Sequence, residues 1–159
     1  MEKLSLILWQ ERELLETLLY RLEVEQLVMS TGQTRWLVNA TRDVESVLSE
    51  IRSTEVLRAV AADEAAEEAG LEPSPSLSDL VERASEPWKH ILAEHRDAFA
   101  SLTTEITRLA EANRSLISAG VLAVRDVLLG LGGEPRTYTP DGSVVSATGT
   151  RSTLLDRSL

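Results

Sequence analysis

The tightest constraint in this 159-residue sequence is a spacing. Trp88, Leu92, His95, Phe99, Leu102, Ile106, Leu109, Asn113 and Leu116 follow one another in strict alternation of four and three residues. A seven-residue repeat keeps one stripe on one side of a slightly underwound helix, so this stretch has to lie as a long helix against other helices. After Asn113 the best apolar set shifts to Ile117, Val121, Val124, Leu128 and Leu131, because the old register would put Gly120 and Ala123 on the seam. That drift is what a four-residue stutter produces. A helix over 87–131 would be about 67 Å long at 1.5 Å per residue.

The rest of the chain predicts helices to accompany it. Leu4, Leu8, Leu15, Leu18, Leu22 and Met29 recur at helical steps, with Ile7, Leu14 and Leu19 widening the stripe, which predicts a first helix over about 2–30. Gly32 is the candidate C′ residue and Thr34 the candidate N-cap of the next helix, the alternative being one continuous longer helix. Leu37, Ala40, Val44, Val47, Leu48 and Ile51 share a face of a second helix, about 34–69, whose end runs through the Ala/Glu-rich AVAADEAAEEAG. Gly70 should stop it, with Leu71 making the apolar contact of a Schellman motif and Pro73 and Pro75 preventing resumption. Ser76 and Asp79 resemble a capping box opening a short helix over about 77–84, and Pro87 suits the first position of the long one. The fold class is therefore all-α: an elongated antiparallel bundle or coiled coil of three long helices plus a short connector. The helical domain covers 1–131, and a flexible tail follows over 132–159.

Composition narrows function mainly by exclusion. The chain has six aromatic residues and no cysteine, so the core is aliphatic and thiolate chemistry, disulfides included, is ruled out. The net charge of −10 is concentrated in residues 31–86, and no basic stripe exists to neutralise phosphates, so nucleic acid is not an expected partner. The acidity reads most simply as a solvated helix face. No apolar run approaches the roughly 18 to 20 residues of a membrane span, and the amino terminus lacks a signal-peptide cleavage pattern, so the expected location is cytoplasmic, without membrane insertion.

Glu-x-x-His pairs, which a carboxylate-bridged metal site in a bundle needs, are absent from the sequence. His90 and His95 are five residues apart and face different directions, so they read as packed or solvated side chains, with His95 filling a seam layer with one nitrogen bonded. Glu67 and Glu68 lie adjacent on an exposed face without the apolar setting that raises a carboxyl pKa. No strand is expected, and GLGG closes a helix, so there is no phosphate loop. Neither an enzyme, a metal nor a cofactor is expected.

The order of features from residue 87 onward resembles the FlgN family of flagellar export chaperones. The likeness rests on PWKHILAEHRDAFASLTTEITRLAEANRSLISAGVLAVRDVLLGLGG (87–133), then TYTPDG (137–142), with the leucine-rich LILWQERELLETLLYRLEVEQ in front. The acidic stretch around 62–86 and the residues past Val145 depart from that pattern. The resemblance implies a chaperone that holds hook-associated proteins of the hook-filament junction unassembled and delivers them to the export gate. It also implies that Tyr138, on the segment after the last helix, engages the gate's cytoplasmic domain; on composition alone Tyr138 is an idle residue in a tail.

Cargo of this kind consists of amphipathic carboxyl-terminal helices that need a substitute groove. The expected groove lies over Leu109, Asn113, Leu116, Ile117, Val121 and Val124, because the first two helices are too short to cover the whole seam. Two other readings stay open at this point. The stripe can be the protein's own core, or it can pair with a second copy in a self-associating scaffold; the expected state is a monomer or weak dimer. Asn113 either pairs inside the bundle to fix register or meets a partner's polar group.

Overall fold

The computed structural model describes residues 1–131, 137–138 and 144–145. The helices fall close to where periodicity places them: α1 spans Glu2–Ser30, α2 Leu37–Ala69, the short α3 Leu77–Arg83, and α4 Trp88–Leu131. The fold is all-α, three long helices and a short connector. Contacts divide the chain into two units, Met1–Ser118 and Ala119–Leu159, so the division falls within α4.

In the first unit the helix directions follow from side-chain partners. Lys3 pairs with Glu64 at 2.7 Å, Glu11 with Arg58 at 2.9 Å and Arg21 with Asp43 at 3.1 Å, so α2 descends as α1 ascends. Trp9 meets His95 and Leu22 meets Asn113, so α4 ascends beside α1. The bundle is up, down, up. Exposed ion pairs contribute at most about 1 kcal/mol each, whereas full burial of a leucine contributes about 1.5–3 kcal/mol. Apolar packing therefore holds the bundle, and the ion pairs favour this pairing over others.

That packing forms two clusters. Leu4 and Leu8 of α1, Ala61 and Ala65 of α2, Leu80 and Val81 of α3 and Leu92 of α4 make the first. Leu18 and Leu22, Val44, Val47 and Ile51, and Leu109 make the second. Small alanines on α2 admit α3, so the acidic connector contributes two core residues despite its composition. Its capping box forms as the sequence predicts: Asp79 N–H donates to Ser76 Oγ at 3.1 Å and Ser76 N–H to Asp79 Oδ2 at 2.9 Å.

Helix ends also obey their sequence signals, with two exceptions, at Thr34 and Pro87. Gly32 and Gly70 adopt φ of 70° and 68°, the left-handed conformation that side chains resist. At each, the next residue's N–H reaches back to close a Schellman motif: Gln33 to Val28 O at 3.0 Å, and Leu71 to Ala66 O at 2.9 Å. Leu71 then packs against the first cluster. Thr34 is not the N-cap expected of it. It opens a 3-10 turn, Thr34–Trp36, closed by Trp36 N–H donating to Gln33 O at 2.9 Å, and no side chain caps it. Pro87 immediately precedes α4 and is not its first residue.

In the second unit, α4 continues to Leu131 and a two-residue antiparallel ladder pairs Thr137 with Val145 and Tyr138 with Val144. The sequence reading expects no strand anywhere. The ladder brackets the Pro-Asp-Gly turn signal, and flanking β-branched residues suit paired backbone. The rest of the expected flexible tail over 132–159 lies outside the described residues.

A Cβ at Gly70 would meet nothing within 4 Å, so its substitution tests backbone conformation alone. Gly70→Ala should cost about 1 kcal/mol of stability, read as a lower urea midpoint with unchanged slope. An unchanged midpoint would show that the left-handed stop is not required.

Candidate partner-binding site

The heptad stripe of α4 has two fates. Leu92, His95, Leu109 and Asn113 are buried, and Phe99, Leu102 and Ile106 are partly so. From Arg114 to Gly130 every residue is exposed. Asn113 is the last stripe residue inside the bundle.

Its setting explains the change. Asn113 Nδ2 donates to Leu22 O at 2.9 Å and to Glu25 Oε2 at 3.0 Å, while Thr41 Oγ1 donates to Glu25 Oε1 at 2.9 Å. One buried carboxylate thus ties α1, α2 and α4 together. The reverse orientation of the Asn113 amide would aim its oxygen at that carboxylate, so the hydrogen-bond network selects this one. Its Oδ1 has no partner among the described residues. Of the two roles the sequence left open for Asn113, the structure takes the first, a register lock. Beyond the lock, α1 ends at Ser30, whereas α4 runs on to Leu131.

The six residues expected to line a groove therefore do not stand together. Leu109 and Asn113, 2% and 3% exposed, belong to the bundle's own interior and are withdrawn from any partner in this conformation. Leu116 and Ile117, still in the first unit, are 40% and 45% exposed; Val121 and Val124, in the second, are 63% and 61% exposed. Leu122, Val127, Leu128 and Leu129 are exposed as well. The sequence reading does not assign Leu122, Val127 and Leu129 to the seam, since they lie off the single stripe it follows. Glu25 and Thr41 also escape it, although a glutamate midway between Leu22 and Met29 on the apolar face of α1 is a visible signal. Tyr138 lies in the first strand of the ladder, opposite Val144.

A second polar layer lies deeper, between the two apolar clusters. His95 is 1% exposed, edge-on to Trp9 with ring centroids 4.9 Å apart, and near Phe99. The sequence reading expects one nitrogen bonded; neither has a partner among the described residues. Burial, and then the nearby Arg12 guanidinium, push its pKa below the ordinary histidine value, with Glu94 opposing. Glu11 is shifted the other way: burial raises its carboxyl pKa, and the Arg58 guanidinium offsets part of this. That pair is close at 2.9 Å but not aligned as a hydrogen bond. No cluster of three or more potential metal ligands occurs among the described residues.

The fold is a helical bundle with a long stretch of α4 whose apolar side chains are exposed. The chain belongs to the FlgN family: the model of that family, described as FlgN protein, matches residues 1–146. The family is one of flagellar export chaperones. The match runs through the acidic stretch that the sequence reading sets apart and ends one residue past Val145. No curated protein and no solved structure matches the chain.

The buried histidine gives a signed pH dependence. Because its folded pKa is depressed, the unfolded chain binds the extra proton first, so stability is full above the unfolded value of about 6.5 and falls as pH drops below it. Glu11 works with the opposite sign, which a variant separates. Urea midpoints should fall between pH 7.5 and 5.5 in the wild type and fall less in His95→Leu. Equal falls in both would remove His95 from the account.

Proposed function

We propose that the chain is an export chaperone for hook-associated proteins. In this reading the apolar side chains of α4 after Asn113, with Leu116, Ile117, Val121 and Val124 foremost, receive the carboxyl-terminal amphipathic helix of the cargo. The observation that carries this is the exposure of those residues in a helix whose earlier stripe is buried. A helical segment with apolar residues facing water has no stable reason to remain bare, and short helices without packing are marginal in water. An incoming amphipathic helix supplies the missing face and is itself kept from bundling with its own neighbours.

The magnitudes suit a carrier. Four cargo side chains buried at about 1.5–3 kcal/mol each give a gross gain of roughly 6–12 kcal/mol. Association entropy removes at least about 4 kcal/mol of it, leaving at most about 8 kcal/mol, an affinity of about micromolar at its tightest. Binding of that strength protects cargo while allowing release. Release is assigned to the export gate, with Tyr138 as the residue that engages the gate's cytoplasmic domain; this rests on the family and on the position of Tyr138 after the last helix. No described helix is long and apolar enough to cross a membrane.

Two sites imply separable losses. Val121→Ser combined with Val124→Ser should weaken calorimetric binding of a hook-associated protein's carboxyl-terminal fragment about 10-fold or more, from the transfer free energy of two side chains, without loss of helix content. Tyr138→Ala should leave that binding unchanged and weaken binding to the gate's cytoplasmic domain. Loss of both by either variant would contradict a two-site carrier. A stable dimer in sedimentation that ignores cargo would favour the scaffold reading.

A further inference from the structure

We infer that the second unit's part of α4 takes two cargo helices, one on each of two separate apolar faces. This rests on the chaperone reading and specifies the shape of its ligand.

Helix geometry separates the faces. At about 100° per residue, Val121, Val127 and Leu128 lie within about 60° of Val124 and form one broad face. Leu122 and Leu129 lie roughly 140–160° from Val124, nearly on the far side of the helix. They are 57% and 65% exposed, as open as the broad face. Being seven residues apart, they stack on one line two turns long, the minimum repeat of a coiled-coil seam.

Charges frame the second line. Arg125 falls between the two faces, and Asp126 lies on the other flank of the Leu122–Leu129 line. They are the only charged residues between Arg114 and Glu134. A seam of apolar residues bracketed by one charge of each sign is how coiled coils select a partner and its direction. The occupant should therefore be a helix with leucine-like residues seven apart, an acidic side chain facing Arg125 and a basic one facing Asp126. A single helix packs against one stripe roughly 100° wide, so the helix that fills the broad face cannot also cover Leu122 and Leu129. A helix apolar on both sides is normally enclosed on both. The ligand that encloses it most economically is a pair of amphipathic helices from one cargo chain.

Calorimetry with two probes tests this: the last helix of a hook-filament junction protein as a peptide, and the fragment holding its last two helices. Val124→Ser with Leu128→Ser should weaken both probes at least 10-fold. Leu122→Ser with Leu129→Ser should weaken the two-helix fragment to the same extent and leave the single helix unaffected; circular dichroism confirms that both variants keep their helix content. Wild-type affinity of the Leu122/Leu129 variant for the two-helix fragment would overturn the inference and leave the chaperone reading standing. So would sedimentation showing that this variant dissolves a dimer of the free protein, which would give the second face to another copy of the chain. Failure of the wild type to bind either probe would instead overturn the chaperone reading itself.

Discussion

The structure turns on one buried carboxylate. Glu25 accepts from Thr41 on α2 and Asn113 on α4, and Asn113 also donates to the α1 backbone at Leu22. Hydrogen bonds to a charged group contribute about 1.5–3 kcal/mol each, and leaving the carboxylate buried without its donors would cost more than they contribute. Apolar clusters tolerate a slide of one helical turn better than this node does. It therefore sets the register of three helices at once. In doing so it marks where α4 stops being core: the stripe from Leu92 to Asn113 is buried or partly buried, and every residue from Arg114 to Gly130 is exposed.

The two parts of α4 are alike in apolar content but differ in cover: the stripe through Asn113 packs in the bundle, whereas Arg114 to Gly130 is exposed. The chain's acidity lies elsewhere, in residues 31–86, where α3 nonetheless sends Leu80 and Val81 into the core. The exposed apolar stretch is nearly free of charge, Arg125 and Asp126 being the only charged residues between Arg114 and Glu134.

Much of the fold was legible because local rules and global packing agree here. Gly32, Gly70 and the Ser76/Asp79 pair act through backbone geometry that a few neighbouring residues determine, and each behaves as its sequence context requires. Thr34 fails because the backbone closes the turn without its hydroxyl. The unbonded nitrogens of His95 and the Glu25 node depend on which residues from distant segments meet, which periodicity does not specify. Periodicity also places Leu109 and Asn113 on the seam and Val121 and Val124 on its drifted continuation, but it gives neither the register set at Glu25 nor the reach of the companion helices, which separate them into interior and surface. The short ladder at Tyr138 is a two-residue pairing across a turn, below the length at which alternation is readable.

Amide hydrogen exchange along α4 in the free protein, at a concentration where sedimentation shows one species, tests the central claim most directly. Slow exchange through Asn113 and a sharp rise in rate over 116–130, reversed when a hook-associated carboxyl-terminal fragment is added, is the result expected of a bundle locked at Glu25 with an open helix end. Equal protection from Leu92 to Leu129 in the unliganded monomer would mean that the protein covers this face itself, and the account would be wrong.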